Sequence, residues 1–215
     1  VQTCALPICV INEIADLSGS GNGSWAPAQT FDLDFALSGV DPSRISPAVS
    51  GTLEFDGHVD GLVTEQAPKI DLRIDRIGGN INGYPAGGDA IVTYAGNTLA
   101  VTEARVQLGS NSAEFNGSLG ETISLDADLD LVVLGELMPQ ASGALRGNVA
   151  LSGSRNRPEA RIDLTGAALR WKDYSANQVS VDVNVLQEDR GFAELTLQQV
   201  SVGKVSLDAA KISAS

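Results

Sequence analysis

Aromatic residues, cysteines and histidines are scarce in this sequence, and their scarcity narrows the functions that it can have. Phe, Trp and Tyr make up only 5% of the 215 residues, and His58 is the single histidine. No Ser or Cys accompanies His58 in a triad-like pattern, and Asp56 and Asp60 flank it on its own strand, so a polar surface histidine is the favoured interpretation. No apolar run approaches the ~20 residues that a helix needs to span a bilayer.

Positive charge is also in short supply. The chain has 14 Lys and Arg residues against 27 Asp and Glu residues, and its formal net charge is −13. A surface this acidic repels phosphate backbones, which excludes nucleic acid as a partner. The same charge would repel an anionic membrane surface against which the chain lay flat.

The two cysteines lie in a segment that stands apart from the rest. Cys4 and Cys9 both belong to the first nine residues, VQTCALPIC, and a C-x₄-C spacing alone specifies no metal site. Residues 1–8 also read as the in-frame translation of a widely used sequencing adapter. We therefore interpret residues 1–9 as a non-native N-terminal segment and leave them out of the fold. A disulfide between the two cysteines is the alternative.

Alternation of apolar and polar residues is abundant. In FDLDFAL (residues 31–37) and in NQVSVDVNV (residues 177–185), apolar residues recur at every second position. This period is typical of strands with one buried face. Most of the 23 glycines fall between such runs, which indicates many short turns. We predict about a dozen antiparallel strands, with one helical candidate at LGELMPQ that Pro139 limits.

The chain contains two copies of one long β unit. Pro47 is followed by Ser-Gly, a strand and a second Pro, and the same order begins at Pro139. Such a repeat at a long, constant offset indicates a stacked array rather than a closed globule. We predict a first β repeat over residues 10–122 and a second over residues 123–215 of the same elongated sheet.

Each predicted strand has one aliphatic and one polar face, and no amphipathic helix is available to cover the aliphatic one. Two all-β arrangements stay open. The sheet folds on itself as a sandwich or closed barrel, or it curls into a trough whose dry lining takes an apolar guest.

Acidic patterns are weak candidates for chemistry. Asp126, Asp128 and Asp130 have the spacing of a calcium loop, but Leu131 and Leu137 occupy the positions where such a loop needs Gly and Glu. Carboxylate pairs two residues apart arise wherever acids alternate with Leu. We therefore predict no metal site, no cofactor and no catalytic residue, and a protein that is not an enzyme.

The order in which Pro and Ser-Gly recur between the strands resembles the sequence pattern of a known family. LGELMPQASGALRGNVALSGSRNRPEARIDLTGAALRW (residues 134–171), with a weaker match at RISPAVSGTLEFDGHVDGLVTEQAPKIDL (residues 44–72), is similar to the AsmA-like superfamily and most closely to its TamB-like members. The resemblance covers nearly the whole chain from Phe31 onward. It implies a section of a long antiparallel sheet curled into an open groove, a β-taco with little or no helix.

The resemblance also implies a function in the Gram-negative cell envelope. In that family the groove conducts phospholipid acyl chains through the periplasm, between the inner and outer membranes. It implies an anchor in the inner membrane, and contact with an outer-membrane barrel of the TamA type through a C-terminal part that this sequence does not show. Alternation predicts the following lipid-groove lining: Phe31, Leu33, Phe35, Leu37, Ile70, Leu72, Ile74, Leu125, Leu129, Leu131, Ile162, Leu164, Val179, Val181, Val183 and Val185.

Other functions stay open. WKDYS (residues 171–175) interrupts the alternation at a strand end, so Trp171 caps the groove or lies on its rim. Alternatively, Trp25, Trp171 and Tyr174 form a glycan-binding platform. The chain would otherwise be an assembly factor for outer-membrane proteins or autotransporters that acts by β-strand augmentation. A secreted β-solenoid adhesin or glycan-active protein is the third possibility, although it predicts a much shorter repeat.

Overall fold

The computed structural model describes residues 15–25, 29–44, 46–47, 49–64, 68–186 and 191–215. The chain divides into two compact units, Val1–Gly109 (unit 1) and Ser110–Ser215 (unit 2). The segment interpreted as non-native, residues 1–9, lies outside the described residues. The boundary between the two sequence repeats, after residue 122, stays a prediction.

Strands dominate both units. The described part of unit 1 contains β1 (Asp16–Ser24), β2 (Gln29–Val40), β3 (Gly51–Val63), β4 (Lys69–Ile81), β5 (Tyr84–Ala95) and β6 (Thr98–Leu108), with a 3₁₀ turn at Pro42–Arg44. The described part of unit 2 contains β7 (Asn111–Leu119), β8 (Thr122–Leu131), the helical turn α1 (Leu134–Leu137), β9 (Ala141–Ser154), β10 (Arg157–Trp171), β11 (Tyr174–Val185), β12 (Gly191–Val202) and β13 (Val205–Ala214).

Within each unit, the spatial order of the strands is their order along the chain. Each strand pairs antiparallel with the strands that precede and follow it in the same unit. Among the described residues, no pairing joins β1 to β6 or β7 to β13, so neither sheet closes into a barrel. The predicted all-β fold, an open antiparallel sheet with little helix, is confirmed. The antiparallel order also argues against a parallel β-solenoid.

Each sheet is a single layer in the described part of the chain. Ala104 and Ala176, at 2% and 9% exposure, are the buried aliphatic side chains of the strands described, and no large side chain there is fully buried. A β-sandwich would enclose the aliphatic side chains of two facing sheets in a core about 10 Å thick. Here those side chains shield one another along a sheet and leave their outer side open.

β-Bulges keep the apolar side chains on one face where the sequence breaks its alternation. Ile74 pairs with Gly57, and Ile77 pairs with Phe55, because β4 contains one extra residue at Asp75. An inserted residue of this kind restores the side-chain phase beyond it and increases the local twist. The register of β10 against β9 shifts in the same way after Ala167.

A buried asparagine holds the helical turn of unit 2. Asn111 is only 2% exposed. Its Nδ2 donates to the Val133 carbonyl oxygen at 3.1 Å and to Glu136 Oε2 at 2.9 Å, and its Oδ1 accepts from the Val133 backbone N–H at 2.9 Å. Val133 lies beyond the end of β8, where its peptide groups need partners outside the strand ladder. The helix is limited to four residues, as Pro139 predicts.

Candidate functional site: the apolar face of each sheet

Residues that pair across neighbouring strands project to the same side of a sheet. In unit 1, one row of paired residues crosses five strands and is wholly aliphatic. It consists of Leu33, Val59, Leu72, Val92 and Val101. The next rows are of the same kind, so one side of the unit 1 sheet is an apolar face.

Unit 2 has an equivalent apolar face. One row crosses six strands and consists of Leu129, Gly147, Leu164, Val181, Leu195 and Ile212. With strands about 4.8 Å apart, a row of six strands spans roughly 24 Å. A parallel row contains Ala127, Val149, Ile162, Val183 and Ala193.

The structure places all sixteen predicted lining residues on these two faces. The seven in unit 1 lie on β2 and β4, on the same side as Val59, and the nine in unit 2 lie on β8, β10 and β11, on the same side as Leu195. Fifteen are half-buried, and Val185 is 42% exposed. Their contact with lipid stays a prediction.

Glycines make room for the two phenylalanine rings of β2. Phe31 is paired with Gly61, and Phe35 is paired with Gly57, on β3. A Cβ atom at Gly61 would collide with the Phe31 ring, and one at Gly57 would lie 2.9 Å from Phe35 Cζ. The rings therefore lie over the backbone of these glycines. The apolar face is flatter here than it would be if every strand carried a side chain at this position.

The opposite face of each sheet is polar and mostly acidic. In unit 1, Arg76 Nε lies 2.7 Å from Asp56 Oδ2, and Lys69 Nζ lies 2.6 Å from Asp71 Oδ2. The Lys69–Asp71 hydrogen bond lowers the pKa of Asp71 and raises the pKa of Lys69. Exposed pairs of this kind add little stability. Their position keeps charge off the apolar face.

His58 lies on this polar face, as the sequence predicts, but its partners come from another strand as well as its own. Its Nδ1 is 2.8 Å from Asp34 Oδ1 on β2, and its Nε2 is 3.7 Å from Asp32 and 3.9 Å from Asp60. The hydrogen bond to Asp34, followed by the charges of all three carboxylates, raises the pKa of His58. The paired residue on β4 is Arg73.

The calcium-like Asp pattern also belongs to the polar face. Asp130 accepts a hydrogen bond from Arg146 Nε at 2.5 Å, and Asp128 accepts one from Asn148 Nδ2. Among the described residues, no group of three or more His, Cys, Asp or Glu side chains is arranged to hold a metal ion.

Two shallow depressions lie on the polar faces rather than on the apolar ones. One, of about 380 Å³ in unit 2, is lined largely by hydroxyl and amide side chains such as Thr165, Gln178 and Ser180. The other, of about 530 Å³ in unit 1, includes Asp32 and Asp60. Charged side chains border both depressions, Arg146 in unit 2 and Lys69 in unit 1.

Sequence reasoning missed much of the apolar face. Val59, Val92, Val101 and Leu195 share rows with predicted residues. The first three lie in strands whose alternation is interrupted by glycine or by a bulge. The register shift between Ile91 and Val92 is one such interruption. A search for alternation on either side of each interruption, with the phase allowed to change, would have found them.

Comparison with known proteins agrees with the resemblance seen in the sequence. A family model described as the N-terminal domain of TamB matches residues 13–215. The translocation and assembly module subunit TamB of Haemophilus influenzae is 22% identical over 186 residues, which are 85% of this chain and 14% of that protein. No solved structure matches the chain. No helix in the described residues is long and apolar enough to cross a membrane. Because the family model covers almost the entire chain, the chain belongs to the TamB family.

Proposed function

We propose that this chain is a section of a cell-envelope protein and that its apolar faces carry phospholipid acyl chains between the inner and outer membranes. Membership of the TamB family implies a cell-envelope location. Residence in the periplasm, an inner-membrane anchor elsewhere in the full-length protein and contact with an outer-membrane barrel of the TamA type are part of this proposal.

One observation carries it. Each sheet has an apolar face several strands wide that no second layer covers in the described residues. Monomeric soluble proteins rarely leave a contiguous apolar area of this kind without a partner. The polar face on the other side of the unit 1 sheet carries ion pairs and is hydrated.

The energetics suit transport rather than tight capture. Full burial of one methylene group is worth about 0.8 kcal/mol, and a one-sided contact roughly half of that. A fatty acyl chain therefore gains several kcal/mol from many weak contacts. Because no single side chain dominates, a chain that moves along the face exchanges equivalent contacts.

Photo-crosslinking from the apolar face tests the proposal. A photoreactive amino acid at Val181 should give a phospholipid adduct, identified by mass spectrometry, when the chain is expressed in a Gram-negative cell. The matched control is the same amino acid at Asp182, which lies next along β11 on the polar face. Equal lipid adducts at the two positions, or none at Val181, would contradict the proposal.

The assembly factor is a second candidate because the relative from Haemophilus influenzae is named for assembly as well as translocation. Strand augmentation would use the backbone of an edge rather than a face. This function predicts dependence on backbone pairing at an edge and indifference to the apolar lining. An assembly activity that Val181→Asp leaves unchanged would favour it.

A further inference from the structure

The two adjacent hairpin turns at one end of the unit 2 sheet differ in chemistry from the acidic remainder of the chain. The turn between β10 and β11 is Lys172–Asp173, and the turn between β12 and β13 is Gly203–Lys204. The Gly203 backbone N–H donates to the Asp173 carbonyl oxygen at 3.0 Å, which joins the two turns. Two lysines and one aspartate thus lie together, although the whole chain carries a net charge of −13.

An aromatic pair lies directly below these turns. The rings of Trp171 and Tyr174 are stacked, with centroids 6.3 Å apart and an interplanar angle of 24°. Lys172 Nζ lies 4.8 Å from the centroid of the Trp171 ring. Trp171 and Tyr174 are 46% and 53% exposed. A cation and two partly exposed aromatic rings therefore occupy one end of the sheet.

The aromatic pair is continuous with the apolar face. Tyr174 pairs with Val202, and Val202 pairs with Val205, which is 63% exposed. Further along the same sheet, Val200 pairs with Ala176 and with Leu207. A ligand with a polar end at the turns would thus have aliphatic surface available for its apolar part.

We propose that Trp171, Lys172, Tyr174 and Lys204 form a headgroup-binding site for a zwitterionic phospholipid whose acyl chains lie on the apolar face of unit 2. The phosphate binds the ammonium groups of Lys172 and Lys204, which are donors suited to it. The quaternary or primary ammonium of the headgroup takes the place of Lys172 over the Trp171 ring, because aromatic faces attract such cations. The site has a partner for both charges of the headgroup. An anionic lipid has no ammonium group to place over the Trp171 ring. This inference rests on the proposed function, since it assigns the polar end of the same ligand.

Three soluble probes separate the headgroup from the chains. They are diheptanoylphosphatidylcholine below its critical micelle concentration, diheptanoylglycerol, which has the same chains without the phosphate, and glycerophosphocholine, which has the headgroup alone. Calorimetry gives the affinities. The Trp25→Phe variant leaves Trp171 as the single tryptophan, and its fluorescence reports displacement of Lys172 from the ring.

The phospholipid should bind about tenfold more tightly than diheptanoylglycerol, and the Trp171 emission should change. The double variant Lys172→Met/Lys204→Met should bind the phospholipid and diheptanoylglycerol with equal affinity. Its affinity for diheptanoylglycerol should equal that of the unchanged chain. Lys211→Met is the matched control, because Lys211 is an exposed lysine whose Nζ lies 2.8 Å from Glu194 on the polar face, and it should keep the tenfold preference.

Each other outcome has a distinct meaning. Equal affinities for the phospholipid and diheptanoylglycerol in the unchanged chain would overturn the headgroup site and leave the acyl-chain proposal standing. Glycerophosphocholine that binds as tightly as the phospholipid would show a site for soluble phosphodiesters and would also overturn it. If neither chain-bearing probe binds, the proposed function itself fails.

Discussion

A single carboxylate in the middle of an apolar face should interrupt lipid contact without unfolding the chain. Val181 is the position of choice because Leu164 flanks it on β10 and Leu195 flanks it on β12. It is half-buried by these neighbours, with its outer side open to water. Val181→Asp therefore places a charge where the proposed acyl chain would lie.

The cost to folding should be small. Full burial of Val is worth about 1.5–3 kcal/mol, so a half-buried Val loses about 1 kcal/mol, and the lower strand propensity of Asp adds at most about 1 kcal/mol. A loss of about 1–2 kcal/mol leaves a typical domain folded. The new carboxylate keeps its hydration as long as no lipid covers it.

The cost to lipid binding should be larger. A carboxylate that an acyl chain covers loses water on that side and finds no cation among its aliphatic neighbours, a penalty of several kcal/mol. Since about 1.4 kcal/mol is a factor of ten in affinity, occupancy over Val181 should fall at least about tenfold. A photoreactive amino acid at Leu164, directly opposite, measures this occupancy as the yield of lipid adduct.

Two controls isolate the effect. The Asn side chain of Val181→Asn has nearly the same shape as the Asp side chain of Val181→Asp but carries no charge. This variant should retain most of the lipid adduct. Asp182→Leu removes one of three acids in the row formed with Asp163 and Glu194 on the polar face, so it should leave the adduct unchanged. An equal loss in Asp182→Leu, or an undiminished yield in a folded Val181→Asp variant, would refute the assignment of the faces.

Three further predictions concern the sheets themselves. Gly61→Val should lower the free energy of unfolding by about 1–3 kcal/mol through collision with the Phe31 ring; urea denaturation measures this, and part of the loss should be recovered in combination with Phe31→Ala. Asn111→Leu should lower it by about 2 kcal/mol, since the Val133 peptide groups lose their partner, and faster amide exchange at Val133 would locate the effect. His58 has a pKa raised above its usual value by its carboxylate neighbours, so its stabilising contribution should be complete below about pH 6.5 and disappear as the pH rises through the folded-state pKa. NMR titration of this single histidine should show the raised value, and in His58→Gln the pH dependence in that window should vanish.

Much of the fold could be predicted from local pattern. Alternation in residues 31–37 and 177–185 predicted strands with one apolar side, and the register confirms that the two runs lie on such faces. Pro139 predicted a limit to the helical turn, and α1 ends at Leu137. These inferences succeed because strand geometry alternates side chains whatever the neighbours are.

The candidate site was less predictable where alternation breaks. Ile77 lies three residues after Ile74, a spacing that places them on opposite sides of a regular strand. The extra residue at Asp75 returns both to the apolar face. Whether a strand absorbs such a residue depends on the partner strand opposite it, which no local pattern contains.

By itself, the sequence determined the class of structure and the two-sidedness of its strands, because both follow from residue spacing within short segments. It also pointed to the family through its resemblance, which the match of the family model bears out. Only the tertiary structure decided which residues share a row, that Asp34 of β2 is the hydrogen-bond partner of His58, and that the aliphatic side remains uncovered in the described residues. These depend on contacts between strands tens of residues apart, where register and the absence of a second layer are set by the packing of the whole sheet.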